Sequence, residues 1–156
     1  MATRTFDVEA TVAASPEQAI DFLLELDRHY GLHTYVESAV RTAEGTDAEG
    51  EWTAWDIVER PAVGPFRYRI RFSSRQIRTS ATSMVGRVRP APGCTLVAAS
   101  TATSMDAGTR VAETVTVTAP WLLVDYMARH ARIAHTRLFQ GLPGELGQVE
   151  GAASAA

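Results

Sequence analysis

Lysine and asparagine are absent from this chain of 156 residues, and cysteine occurs once, as Cys94. Without lysine, the protein can form neither a Schiff base with a carbonyl substrate nor a P-loop for nucleotides. Without asparagine, it has no N-glycosylation site. A single cysteine excludes an internal disulfide and a cysteine-rich metal cluster. These absences remove several classes of covalent catalysis and metal binding.

Long apolar runs and basic runs are also missing. No stretch approaches the roughly 18 apolar residues of a membrane-spanning helix. Residues 1–7 lack the apolar core of a signal peptide, so we expect a cytoplasmic protein without a membrane span. The net charge of -3 and the dispersed arginines argue against binding to nucleic acid. The composition predicts one globular domain over residues 1–144 and a flexible tail over 145–156.

Motifs for metals and cofactors are missing as well. His29 and His33 have the four-residue spacing of paired helical ligands. The segment between them lacks the glutamate of a zinc protease motif and contains Gly31, a helix breaker. The chain has no glycine-rich nucleotide loop and no Gly-x-Ser-x-Gly nucleophile elbow. We therefore expect no metal site and no cofactor.

The first third of the chain predicts a strand followed by two short helices. Apolar and polar residues alternate over 6–12, the period of a half-buried strand. Ser15 is a good N-cap, Pro16 suits the first helical position, and Gln18 completes a capping box. A second short helical segment is predicted over 27–32.

The rest of the chain predicts six strands and one long helix. Short turn-rich segments separate the strands and favour antiparallel neighbours. The final helix is predicted from Pro120 to Leu142, where Gly141, Pro143 and Gly144 end it. Strands followed by a covering helix make an α+β domain. The six strands are predicted over 35–42, 51–58, 66–76, 78–89, 95–105 and 109–118.

Small side chains predict a cavity between the sheet and the final helix. The predicted strand segments 78–83 and 98–104 carry small residues on both faces. The alternative is a helix that lies close to the sheet at its alanines. We infer a partly apolar pocket of about a few hundred Å³. The apolar face of the helix carries Leu123, Val124, Met127, Ala128, Ala131, Ala134, His135 and Leu138, and its water face carries Asp125, Arg129, Arg132, Thr136 and Gln140.

An alternating segment in the third of these six strands predicts one apolar and one basic face. Phe66, Tyr68, Ile70 and Phe72 are expected to point inward. The intervening arginines, Arg67, Arg69 and Arg71, are expected to form a solvated row. If that row were an interface, the protein would be a partner-binding regulatory domain.

The order of elements resembles the START/Bet v 1-like superfamily, also called SRPBCC or polyketide cyclase/dehydrase-like proteins. The resemblance covers residues 4–142 and includes Ser15-Pro16-Glu17, Gly108-Thr109-Arg110-Val111 and the proline before the last helix. It implies a helix-grip fold, in which a seven-stranded curved antiparallel sheet wraps a long C-terminal helix and encloses a hydrophobic cavity. Some members carry or sense lipids and hormones, and others are aromatase/cyclases that act on polyketide chains. The fold alone does not choose between these functions.

Four polar side chains are candidates for acid-base catalysis in that cavity. Asp56 lies on one strand face with Trp52, and Glu113 interrupts a row of valines. His135 lies on the apolar side of the last helix, and His33 follows the second short helix. Buried carboxylates have raised pKa values and imidazoles titrate near neutrality, so these groups could serve cyclisation or dehydration.

Each candidate also has a structural alternative. Asp56 or Glu113 could pair with Arg71 or Arg87, and His135 could donate a hydrogen bond to a strand carbonyl. Aromatic and methionine side chains are predicted to bind a flat or irregular apolar ligand, with core packing as their alternative role. The predicted ligand-binding residues are Trp52, Tyr35, Tyr68, Ile70, Phe72, Met84, Met105, Met127 and Ala131.

The sequence thus predicts a protein that binds a hydrophobic small molecule, as a monomer or homodimer. The leading hypothesis is a cofactor-independent, cyclase- or dehydratase-like enzyme of polyketide-type secondary metabolism. The alternative is a non-catalytic carrier for a lipid or an aromatic metabolite, which needs only the cavity.

Overall fold

A computed structural model describes residues 1–149, apart from the side chain of Val63. Within this range, seven strands form one curved antiparallel sheet, and α2 (Val124–Leu146) lies along it. The helix α1 (Pro16–Leu24) and a 3-10 turn (Leu26–His29) follow the first strand. The strands are β1 (Ala2–Val12), β2 (Val36–Asp47), β3 (Gly50–Glu59), β4 (Ala62–Val63), β5 (Phe66–Arg67), β6 (Ile70–Ser80), β7 (Ser83–Ala91), β8 (Cys94–Met105) and β9 (Gly108–Ala119).

The strand order in the sheet is β1-β9-β8-β7-β6-β3-β2, and β4 and β5 form a separate small hairpin. This arrangement confirms the predicted α+β helix-grip fold. The predicted capping box is also confirmed, because Gln18 N donates to Ser15 Oγ at 3.2 Å and Ser15 N donates to Gln18 Oε1 at 2.9 Å. No helix among residues 1–149 is long and apolar enough to cross a membrane.

The core is divided unevenly beneath α2. The helix packs directly on β1 and β9, where Phe6 and Val115 are buried. At its C-terminal end, Leu138 and Leu142 join Phe22 of α1 in a second buried cluster. The strands β3, β6 and β7 curve away from the middle of the helix, and the space left there is the cavity described below.

The final helix is displaced along the chain from its predicted bounds. Residues 121–123 form a turn, so Leu123 is 47% exposed instead of facing the core. The helix continues through Pro143 to Leu146, four residues beyond the predicted end at Leu142. Backbone bonds from Ala13 and Ala14 to the carbonyls of residues 147 and 146 hold this end on the fold, which offsets the hydrogen bond that proline cannot donate. Residues 145 and 146 of the predicted tail are therefore helical, and residues 150–156 lie outside the described range.

The predicted strand over 66–76 is two elements. Phe66 lies in the β4–β5 hairpin and is 74% exposed, so the expectation that it points inward is wrong. The predicted break near residue 77 is also wrong, because β6 continues to Ser80 and the hairpin turn lies at Ala81-Thr82. Residues 78–83 thus form the turn between β6 and β7 and the strand ends beside it. They do not line the cavity, whereas Ala98 of β8 does.

Candidate functional site

A cavity of about 210 Å³ lies between α2 and the half of the sheet formed by β3, β6 and β7. It forms where the helix presents alanines in place of larger side chains. Most of the lining is apolar. The apolar lining residues are Leu23, Leu26, Val36, Ala39, Ile57, Pro61, Ile70, Phe72, Met84, Gly86, Val88, Pro90, Leu96, Ala98, Met127, Ala131, Ala134 and Leu138.

A buried carboxylate and an imidazole meet at the wall of this cavity. Glu113 of β9 is 6% exposed, and its Oε1 lies 2.5 Å from Nδ1 of His135 on α2. Ser100 of β8 donates its hydroxyl hydrogen to Glu113 Oε2 at 2.7 Å. The other ring nitrogen, His135 Nε2, makes no hydrogen bond within the part of the chain that the structure describes, which leaves it available to a ligand.

The pKa values of this pair favour a carboxylate and an imidazolium. Burial alone would raise the pKa of Glu113, but attraction to His135 and hydrogen bonds from His135 and Ser100 lower it below its usual value. Burial alone would lower the pKa of His135, but attraction and hydrogen bonding to Glu113, and attraction to Glu59, raise it. The two charges therefore stabilise each other in a site that neither would enter alone.

Glu59 and His33 lie next to this pair. Burial raises the pKa of Glu59 to about 7, opposed by attraction to His135. Burial also lowers the pKa of His33 to about 3, reinforced by repulsion from His135 and His29. The rings of His33 and His135 are edge to face, with centroids 6.1 Å apart. One end of the cavity therefore holds two carboxyl groups and two imidazoles of different protonation.

Phenols and an imidazole line another part of the cavity wall. Tyr68 and Tyr126 share a hydrogen bond of 2.8 Å between their hydroxyls, and His130 Nδ1 lies 3.1 Å from the hydroxyl of Tyr35. The ring of His130 also packs on Tyr126, with centroids 4.3 Å apart. Burial, with the hydrogen bond and repulsion from Tyr68, raises the pKa of Tyr126 to about 12, so its hydroxyl stays protonated.

The structure brings together most of the side chains selected from the sequence. The predicted acid-base residues Glu113, His135 and His33 line the cavity. So do seven of the predicted ligand-binding residues, namely Tyr35, Tyr68, Ile70, Phe72, Met84, Met127 and Ala131. Their roles remain predictions, because the structure gives only their positions.

Three predicted site residues lie elsewhere. Asp56 is on the outer face of the sheet, where it is paired with Arg71. Trp52 packs beside Gly45 on that side, under the Arg75 guanidinium at 4.3 Å from its ring centroid. Met105 ends β8 and is 48% exposed. Because β3 carries apolar residues on both faces, alternation alone did not identify its inner face, and the alternative ion pair for Asp56 is correct.

Two functional candidates were missed by the sequence reasoning. Glu59 shares the inner face of β3 with Trp55 and Ile57, so a correct choice of face would have found it. Tyr126 was not among the residues selected from the sequence, but its hydroxyl reaches Tyr68 across the cavity wall. That contact joins α2 to the segment between β5 and β6, which no local pattern indicates.

The fold is shared with solved structures of low sequence identity. The Zhui aromatase/cyclase from Streptomyces sp. R1128 matches with a TM-score of 0.74 and 14% identity, over 97% of this chain and 98% of that chain. The di-domain ARO/CYC StfQ from the steffimycin biosynthetic pathway matches with a TM-score of 0.69 and 13% identity over 88% of this chain, which spans only 48% of StfQ. Ara h 8.0201 matches with a TM-score of 0.66 and 15% identity, over 93% of this chain and 98% of that chain.

These comparisons confirm the helix-grip fold that the resemblance implies. No protein-family profile and no curated protein sequence matches the chain. The neighbours therefore establish the helix-grip architecture, and function has to be argued from the cavity itself.

Proposed function

We propose that this helix-grip protein binds a compact hydrophobic carbonyl compound beneath α2 and catalyses its dehydration or cyclisation without a cofactor. The observation that carries the proposal is the buried Glu113–His135 pair at the wall of an apolar cavity. A buried charge pair costs desolvation energy that apolar residues of the same size would avoid. Its presence beside a cavity supports a chemical role.

The two residues of the pair have different roles in acid-base catalysis. Glu113 is the positioning residue, because it accepts the Nδ1 hydrogen and fixes the orientation and tautomer of the ring. His135 is the catalytic residue. Above its raised pKa the ring is neutral, and its unprotonated Nε2 removes the proton next to the carbonyl of a β-hydroxy ketone. The carbon-oxygen bond breaks as the double bond forms, and the imidazolium returns the proton to the departing oxygen. Water leaves, and the protein is unchanged.

The cavity supplies the other part of the effect. Its volume of about 210 Å³ lies below the roughly 300–1,000 Å³ of common ligand pockets, which favours a compact ligand or the reacting end of a longer one. Apolar walls exclude water and hold the reacting atoms near His135. The polyketide-type substrate class rests on the aromatase/cyclases that share the fold.

A dehydration assay tests this function directly. The probe is 4-hydroxy-4-phenylbutan-2-one, which loses water to give the ultraviolet-absorbing 4-phenylbut-3-en-2-one. We expect His135→Gln to lower kcat/KM by about 100-fold, the usual contribution of a general acid-base group. Glu113→Gln should lower it as well and shift the ascending limb of the pH-rate profile to lower pH, because the imidazole loses its carboxylate partner.

Asp56→Asn is the matched control, since it alters a carboxylate on the outer face of the sheet. It should leave turnover close to that of the unmodified protein. Equal turnover by His135→Gln and the unmodified protein would contradict the proposed chemistry.

A non-catalytic carrier is the second candidate, favoured by the predominance of apolar side chains in the cavity lining. For this case, solvent extraction of the purified protein followed by mass spectrometry should find a bound molecule. A ligand recovered unchanged after prolonged incubation would support the carrier, and its conversion would support the enzyme.

A further inference from the structure

Two polar groups beside the Glu113–His135 pair have no hydrogen-bond partner among residues 1–149. His33 Nδ1 is buried and unpartnered, and none of the hydrogen bonds found over residues 1–149 involves the Glu59 carboxyl group. Glu59 Oε1 and His33 Nδ1 lie 3.9 Å apart, too far for a hydrogen bond between them. Buried polar groups are usually satisfied, so this pair calls for an explanation.

The spacing of the two groups fits one shared acceptor. An oxygen atom at about 2.8 Å from each of them would form an angle of about 90° with the two donors, within the broad range of directions from which a carbonyl oxygen accepts hydrogen bonds. Both residues line the cavity, and their side chains retain 16% and 17% exposure. A ligand in the cavity therefore lies against both side chains.

The protonation of both residues suits an acceptor ligand. Burial, opposed by His135, raises the pKa of Glu59 to about 7, so near neutrality the carboxyl group carries a donor hydrogen in much of the population. The buried ring of His33 is neutral and has one N–H to donate. The titratable groups that face Glu59 are His33, Tyr35 and His135, and of these His135 lowers the pKa of Glu59 by attraction.

We propose that Glu59 and His33 form a carbonyl-binding subsite, in which both donate hydrogen bonds to one ketone oxygen of the ligand. The two groups would also stabilise the enolate oxygen that develops when His135 removes the neighbouring proton. This inference rests on the proposed function and narrows its substrate class to ketones that carry a hydrogen on the adjacent carbon.

Two ligands of the same shape test the subsite without requiring turnover. The probe 2-acetylnaphthalene has the ketone oxygen, and 2-isopropenylnaphthalene replaces it with a methylene group. We expect the ketone to bind with its C=O stretching frequency lowered relative to that in an apolar solvent. Glu59→Leu should weaken ketone binding by about 10-fold, the loss of one good hydrogen bond, and leave the hydrocarbon unaffected.

The pH dependence gives a second readout. The frequency shift should diminish as pH rises through about 7, where Glu59 loses its donor hydrogen. Glu59→Gln keeps an N–H donor and cannot ionise, so its shift should persist at high pH. His33→Phe should remove part of the shift at every pH. Circular dichroism of each variant checks that the fold is kept.

The outcomes separate this inference from the proposed function. A C=O frequency equal to that in apolar solvent, or unchanged by Glu59→Leu and His33→Phe, overturns the subsite and leaves a bridging water as its occupant. Failure of both probes to bind also overturns it. A shifted frequency in the absence of hydroxyketone dehydration supports the subsite and contradicts the enzyme. Glu113→Gln should lower the rate of dehydration and preserve the shift.

Discussion

Glu59 is a carboxyl group whose protonation is set by burial on the inner face of β3. Within the described chain it makes neither an ion pair with arginine nor a hydrogen bond, in contrast to Glu113 a short distance away. Two glutamates in one cavity therefore differ in charge near neutral pH. Pairs of this kind, whose environments push their pKa values apart, provide an acid and a base from the same residue type.

The raised pKa of Glu59 predicts a loss of stability with increasing pH. The folded state binds this proton up to about pH 7, while the unfolded chain releases it near its ordinary value of 4.5. The free energy of unfolding should therefore fall as pH rises across that interval, by up to about 3 kcal/mol. Glu59→Gln should remove this component, which urea denaturation from about pH 5 to about pH 8 would measure.

The control for this experiment is Glu51→Gln, an exposed glutamate at the other end of β3. His33 acts in the opposite direction, because its folded pKa of about 3 lies below the ordinary 6.5 and its contribution grows with pH over that range. The difference between Glu59→Gln and the unmodified protein isolates Glu59. A difference that is constant across pH would contradict the burial of a protonated carboxyl group.

The Glu113–His135 pair predicts strong coupling between two substitutions. Glu113→Leu or His135→Leu alone leaves a buried partner without its counter-charge, which should cost about 3–5 kcal/mol. The double variant buries neither charge and should cost clearly less than the sum of the single changes. Urea denaturation of the four proteins gives the coupling free energy. Additive effects would show that the two groups do not stabilise each other.

At the scale of single residues, the sequence predicted which side chains lie in the interior better than it predicted what they contact. The row of valines around Glu113 and the apolar face around His135 placed both side chains in the interior correctly. The prediction that Asp56 faces the cavity was wrong because both faces of β3 carry apolar residues, and Glu59 was missed for the same reason. The contact between Glu113 and His135 joins residues 22 positions apart through the packing of α2 on the sheet, which a local pattern cannot specify.

At the scale of elements, α2 is held closely at its C-terminal end. A Cβ atom at Gly141 would lie 2.5 Å from Leu32 Cδ2, so the helix and the segment after the 3-10 turn approach each other there. A Cβ atom at Gly144, one turn later, would meet nothing within 4 Å. The two glycines share one helix and differ in their neighbours.

This difference predicts opposite outcomes for the same substitution. Gly144→Ala should stabilise the protein by up to about 1 kcal/mol, the gain in helix propensity. Gly141→Ala should lose that gain or become destabilising, because Leu32 has to move out of a packed position. Thermal unfolding of both variants provides the measurement. Equal stabilisation by the two would contradict the close contact between α2 and Leu32.

The elements themselves were largely predictable from the sequence. Turn chemistry and apolar alternation gave the seven strands, and the capping box placed the start of α1. The bounds of α2 were harder to predict from the sequence, because Pro143 lies inside the helix and tertiary hydrogen bonds from Ala13 and Ala14 stabilise its C-terminal end. Local stop signals were overridden by packing, as is common at helix ends.

At the scale of the whole molecule, the cavity follows from how α2 rests on the sheet. The helix packs on β1 and β9 through Leu138, Phe139 and Leu142 at its C-terminal half and through Met127, Ala128 and Ala131 nearer its start, while Ala131 and Ala134 also line the space toward the other strands. The molecule therefore has an apolar interior space bordered by acid-base groups. The central claim is that a ligand binds in this space.

Binding of an uncharged dye to a variant with a filled cavity tests that claim most directly. The dye N-phenyl-1-naphthylamine fluoresces in apolar surroundings, and Ala131→Phe places a large side chain in the space that it would occupy. Gln140→Phe, on the exposed face of the same helix, is the control. We predict at least a roughly 10-fold loss of affinity for Ala131→Phe and none for Gln140→Phe. Equal binding by both folded variants would contradict the cavity as the ligand site.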